Sequence, residues 1–170
     1  KLRIAHYYEN RLGRNDGNAL YMWNAMKNYM PEKLESVHLI PYGDLGRYGS
    51  WDLHWESDWG EDALLEGILP YVPCDIPHPN AFWHSDTHLG YDWRLQKAKE
   101  TDFNFCCQLR AVEEFKRDGI QDPIWMPHAV EPMAYPYTPS IKRYDVCFVG
   151  HINSANRTEA LDKLFKEFPN

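Results

Sequence analysis

The chain has 170 residues, enough for one good-sized domain with its own core. Hydrophobic residues make up 44% and charged residues 25%, as in soluble globular proteins, and the formal charge of -7 with no basic run argues against nucleic acid as the main partner. No apolar stretch approaches a membrane span, and the N-terminus opens on strand-like sequence rather than a signal peptide.

Leu2–Tyr8 (LRIAHYY) is a short apolar run that predicts a buried strand. The loop ENRLGRNDG follows, and Asn18–Tyr29 has helical spacing, with Leu20, Trp23, Met26 and Met30 on one face and Pro31 as the stop. Ser36–Ile40 and Trp51–Trp55 predict two further strands. ESDWGED leads into a helix over Glu61–Leu69, and a proline-rich connection precedes a strand at Ala81–His84. After the polar turn SDTHLG, Tyr91–Glu100 predicts a helix with Leu95 and Ala98 inward. Phe103–Cys107 predicts a strand, Gln108–Asp118 a helix closed by Gly119, and Pro123–Val130 a last strand. Three prolines and no period mark 131–143 as a linker, after which Tyr144–Val149 opens a new, fully buried strand.

Repeated strand, loop and helix imply an α/β fold: a Rossmann-like, mainly parallel sheet with helices on both faces. In such sheets ligands bind beyond the carboxyl ends of the strands. The loops Glu9–Gly17, Glu56–Asp62, Ser85–Gly90 and Pro127–Pro132 would meet there, carrying Asn10, Arg14, Asp16, Asp58, Asp86, His88 and His128. Aromatic residues are abundant at 15%, which fits a large core or a cleft that stacks rings on sugars or bases. The four cysteines show no CxxC spacing; Cys106, Cys107 and Cys147 lie in apolar runs and read as buried free thiols in a reducing cytoplasm.

Asp86 or His88, at a strand end, is placed to accept a proton from an acceptor hydroxyl, and Asp16 on the first loop is a rival base. The plainer roles are a helix cap for Asp86 and a turn residue or cap for Asp16. His84, Asp86 and His88 also form an H-x-D-x-H string, whose alternate residues would share a face in extended chain and suit a metal. Gly17 lets backbone approach a ligand or simply turns the chain. Trp59 fits a stacking platform or a turn before an acidic helix start, and His128 fits a core residue or a cleft residue. In the last unit, Gly150 opens room for backbone, the next helix N-terminus favours an anion, and Arg157 adds a forked cation: the outline of a phosphate site, or an ordinary strand-to-helix turn.

The stretch PIWMPHAVEPMAY followed by YDVCFVGHINSANRTEALDKL resembles the domain junction of GT-B glycosyltransferases, in the spore-maturation-protein-like branch of the group 1 enzymes. AFWHSDTH, FNFCC and the helix ending in RDG are similar to the same family's first domain, so the resemblance covers most of Asn80–Leu161. It implies an N-terminal acceptor-side domain over 1–130, a linker over 131–143 and the first strand, loop and helix of a donor-binding domain over 144–170. Gly150, His151 and Arg157 match the family's donor-phosphate loop, and the co-substrate would be a nucleotide sugar with no bound metal or other cofactor. Asp16, Asp86 or His88 would be the base, with Asn10, Arg14, Gly17, Asp58, Trp59 and His128 around the substrate. The remainder of the donor domain is missing from this sequence, so the chain should not transfer sugar alone. It reads as a fragment or a naturally short relative. The competing readings are a non-catalytic binding or scaffold domain and a metal-dependent hydrolase built on His84, Asp86 and His88.

Overall fold

A computed structural model describes residues 1–8, 18–41, 50–58, 76–129, 139, 147–148 and 155–168. The chain forms two compact units, Lys1–Pro136 and Tyr137–Asn170. In the first, strands β1 (Leu2–Tyr8), β2 (Leu34–Pro41), β3 (Leu53–Ser57), β4 (Asn80–His84), β5 (Phe103–Cys106) and β6 (Ile124–Trp125) make one parallel sheet in the order β2-β1-β3-β4-β5-β6. The expected Rossmann-like layout is therefore present.

β1 lies between β2 and β3, with Ile4 opposite Leu53 and Val37, which explains four successive buried residues, Ile4 to Tyr7. Consecutive residues of β4 serve opposite faces. Ala81 and Trp83 join a core with Ile4, Leu34, Trp55 and Cys107, while the Phe82 and His84 rings meet each other on the other side.

Helix α1 (Asn18–Tyr29) packs on the first of these cores through Met22 and Met26. Trp23 ties it to β2 by donating its indole N–H to the Val37 carbonyl at 2.9 Å. Met30, expected on the inner face, is exposed because the helix has ended: its carbonyl accepts the N–H groups of Lys33 and Leu34 and turns the chain into β2. Helices α2 (Tyr91–Lys99) and α3 (Leu109–Arg117) enclose a second core of Ala98, Cys106, Ala111, Val112, Phe115 and Ile120. Gly119, at φ 92°, closes α3 and lets Ile120 donate back to the Phe115 carbonyl at 2.9 Å.

β2 is longer than expected, at Leu34–Pro41 rather than Ser36–Ile40, and two other strands differ in placement or extent. β3 runs two residues further along than Trp51–Trp55. Asp52 is spent on β1, its carboxylate taking the Arg3 N–H at 2.8 Å, and Glu56 stays inside because an ion pair neutralises it. The predicted Pro123–Val130 strand shrinks to Ile124–Trp125, both exposed, since β6 is an edge strand beside a four-residue neighbour. Met126 makes the last bond, to the Cys106 carbonyl at 2.8 Å, and Pro127 has no N–H to continue.

In the second unit the described residues contain one helix, α4 (Ala155–Glu167), with Leu161 buried and Leu164, Phe165 and Phe168 exposed. Of the expected strand Tyr144–Val149, Cys147 and Phe148 are exposed and outside regular structure, and the other four residues lie outside the described residues. The predicted helix Glu61–Leu69 lies outside the described residues. Among the described residues, no helix is long and apolar enough to cross a membrane.

Candidate functional site

The sheet order fixes the point at which the topology switches direction. From β1 the chain passes to β2 on one side, whereas β3 leads away toward β4, β5 and β6 on the other. Connections that diverge at neighbouring strands leave a crevice beyond their carboxyl ends, here between β1 and β3. The residues at that edge are Tyr7 and Tyr8 from β1, Glu56 and Ser57 from β3 with Asp58 following, and His84 with Ser85 from β4.

Two buried ion pairs connect this edge to α2. Lys97 pairs with Glu56, and Arg94 Nε donates to Asp58 Oδ2 at 2.7 Å, with Arg94 Nη2 at 3.3 Å from Oδ1. Arg94 and Lys97 are one turn apart on the helix; Glu56 and Asp58 are alternate residues of the chain leaving β3, so both pairs lie on one face of the sheet. Asp58 therefore sits with its side chain 0% exposed, its carboxylate turned to α2.

The same pair holds the turn 85–90. Asp58 Oδ2 also accepts the Ser85 N–H at 3.0 Å, and Arg94 Nη1 donates to the Leu89 carbonyl. Within the turn Leu89 donates to the Asp86 carbonyl at 2.8 Å, and Thr87 Oγ1 reaches Gln108 at 3.3 Å. Asp86 is in the left-handed region at φ 45°, a conformation Asp tolerates better than most side chains. The turn places Asp86 and His88 in solvent at the sheet's carboxyl edge. Asp86 does not cap α2; Gly90 occupies the N-cap, with no side-chain cap bond.

His84 does not join Asp86 and His88. It is fully buried, its Nε2 lies 2.9 Å from Asn104 Oδ1, and its ring packs between Phe82 and Phe115. The string predicted a shared face on the premise of extended chain, but the strand stops at His84 and the left-handed Asp86 turns the backbone away. No group of three potential metal ligands occurs among the described residues.

His128 is exposed and meets Trp83 edge to face, ring centroids 4.7 Å apart. Arg157 stands in the first turn of α4, in the second unit. Asn10, Arg14, Asp16, Gly17, Trp59, Gly150 and His151 lie outside the described residues.

Buried polar groups that the sequence did not single out lie in β1 and β3. His6 Nε2 is 3.1 Å from Ser57 Oγ, which also receives the Trp55 indole N–H at 3.4 Å. Burial pushes His6 down to about 3 and His84 likewise to about 3, so both rings are neutral at physiological pH. Tyr7 is raised to about 12 by burial and then by Glu56, so its hydroxyl keeps its proton, and it shares a 2.7 Å hydrogen bond with His54 Nδ1. Burial pushes Cys106 up to about 12 and raises Cys107 as well, against the pull of the Asp86 N–H on its sulfur. Neither thiol is a ready nucleophile. Cys147, expected to be buried, is exposed.

The ion pairs had a trace in the sequence. A helix whose inward residues are Leu95 and Ala98 places Arg94 and Lys97 on the flanks of that face, and two acids alternate at the end of β3. The acids read as a turn because charge is ordinarily a surface property.

Comparison with protein-family models, with curated proteins and with solved structures returned no match.

Proposed function

We propose that this chain is the acceptor-side part of a glycosyltransferase of the GT-B type, which moves a sugar from a nucleotide sugar to an acceptor hydroxyl. The observation that carries the reading is the division of the chain at Pro136 and Tyr137, within the proline-containing stretch 131–143, between a six-stranded parallel sheet and a second unit. It supports the junction motif on which the family resemblance rests.

In this reading the acceptor enters over the carboxyl edge. Asp86 or His88 takes the proton of its hydroxyl, the freed oxygen attacks the anomeric carbon, and the nucleoside diphosphate departs with the bonding electrons. Gly150, His151 and Arg157 hold the donor phosphates. A guanidinium in the first turn of a helix opposes the helix dipole, and a bound anion relieves that opposition. The exposed His128 ring, braced edge to face on the buried Trp83, offers a polar aromatic surface for the acceptor. Asp58 serves the scaffold, since Arg94 holds its carboxylate. A reducing, cytoplasmic setting goes with the reading, where Cys106 and Cys107 stay thiols.

The test is release of nucleoside diphosphate from a panel of nucleotide sugars by the full-length protein containing this chain. Turnover of one donor is expected, undiminished by a chelator. Asp86→Asn or His88→Gln, whichever removes the base, should lower it by about 10²–10⁴-fold. No release from any donor overturns the proposal.

A further inference from the structure

We propose that Arg94 and Asp58 are positioning residues: their buried ion pair clamps the turn 85–90 at both ends and so presents Asp86 and His88 to the acceptor. The role assigned to the presented groups rests on the glycosyltransferase reading; the clamp itself does not. One carboxylate oxygen, Asp58 Oδ2, takes both Arg94 Nε at 2.7 Å and the Ser85 N–H at 3.0 Å. The other side of the same guanidinium takes the Leu89 carbonyl. The two ends of the turn are therefore joined through a single pair of side chains that are 0% and 1% exposed.

Between those ends the turn carries a non-glycine residue at φ 45°, a backbone that costs free energy unless its surroundings enforce it. Among the described residues the interior of the turn adds the Leu89 N–H on the Asp86 carbonyl at 2.8 Å, the Asp86 N–H on the Cys107 sulfur, and Thr87 Oγ1 on Gln108 at 3.3 Å, none of which joins its two ends. Asp86 and His88 themselves project into solvent. A base on an exposed turn loses reach and alignment if the turn samples several conformations, so the clamp acts on the rate of proton transfer rather than on donor binding.

The neighbouring pair provides an internal control. Lys97 and Glu56 are also buried, at 7% and 5% exposure, on the same helix and two residues before Asp58, and among the described residues none of the turn's hydrogen bonds runs through them. Breaking that pair loosens the scaffold without touching the turn. Arg94→Lys does the opposite: an ammonium keeps a charge for Asp58 but cannot span both the carboxylate and the Leu89 carbonyl as the fork does.

The experiment compares Arg94→Lys with Lys97→Met by amide hydrogen exchange over 85–90 and by donor turnover in the full-length protein. In Arg94→Lys, exchange at the turn should rise about tenfold, the effect of losing one buried hydrogen bond. In Lys97→Met it should stay within about twofold despite lower global stability. Turnover should follow, with kcat about tenfold lower in Arg94→Lys and the donor KM within about twofold of wild type. Asp58→Asn, which keeps an acceptor for Ser85 but loses the charge, gives the same exchange readout if Arg94→Lys does not fold. Unchanged exchange at the turn in the clamp variants, or an equal rise in Lys97→Met, overturns the proposal. A wild-type protein that turns over no donor defeats the glycosyltransferase reading alone, and the exchange comparison still decides the clamp.

Discussion

Arg94 Nε meets Asp58 Oδ2 at 2.7 Å in a site where neither side chain reaches solvent. Removing one partner of such a pair leaves a bare charge in the interior. Arg94→Met should cost about 3–5 kcal/mol in urea unfolding, and Asp58→Leu in the Arg94→Met background should recover most of that loss. Two independent, additive losses in the double variant would show that the pair is not energetically coupled.

The two buried histidines make stability depend on pH. An unfolded histidine binds a proton near its ordinary 6.5, whereas folded His6 and His84 do so only near about 3. Between those values the unfolded chain holds more protons, so stability is full above pH 6.5 and falls as the pH drops toward 3. Each histidine contributes a slope of about 1.4 kcal/mol per pH unit well inside that window. Urea midpoints at pH 7.5, 6 and 5 check this, and His84→Gln should remove that residue's share of the slope.

Asp86 separates conformation from chemistry. Its φ of 45° suits Gly and Asn and disfavours Ala. Asp86→Gly should hold or raise the melting temperature, while Asp86→Ala should cost about 1 kcal/mol. Asp86→Asn should keep the fold, so a loss of turnover in that variant reports on the carboxylate. Equal melting temperatures for the Gly and Ala variants would contradict the left-handed turn.

Gly119 isolates the backbone term at the end of α3. At φ 92° it accepts no ordinary side chain without strain, yet a Cβ there would meet nothing within 4 Å. Gly119→Ala should therefore cost about 1 kcal/mol from conformation alone. A cost of several kcal/mol by thermal unfolding would mean that the αL cap also supports the packing of Ile120.

The residues themselves specified much of the layout. Leu2–Tyr8 and Asn18–Tyr29 stand as their periodicity predicts, and the repeating units require a parallel sheet, because a strand followed by a helical crossover returns in the same direction. The position of Asp86 and His88 was legible for the same reason: they follow a strand, and loops after parallel strands gather at one edge. Which strands are neighbours was left to the tertiary structure. Local periodicity carries no sign of whether β3 goes beside β1 or β2, and that choice creates the switch point. So was the state of each polar residue. Asp58 and Asp86 are both acids in polar stretches after strands, and they part only because α2 lays Arg94 over one and leaves the other in water. A charge becomes interior when a distant partner offsets its lost hydration, and that partner, 36 residues along the chain, is assigned by packing rather than by any local pattern.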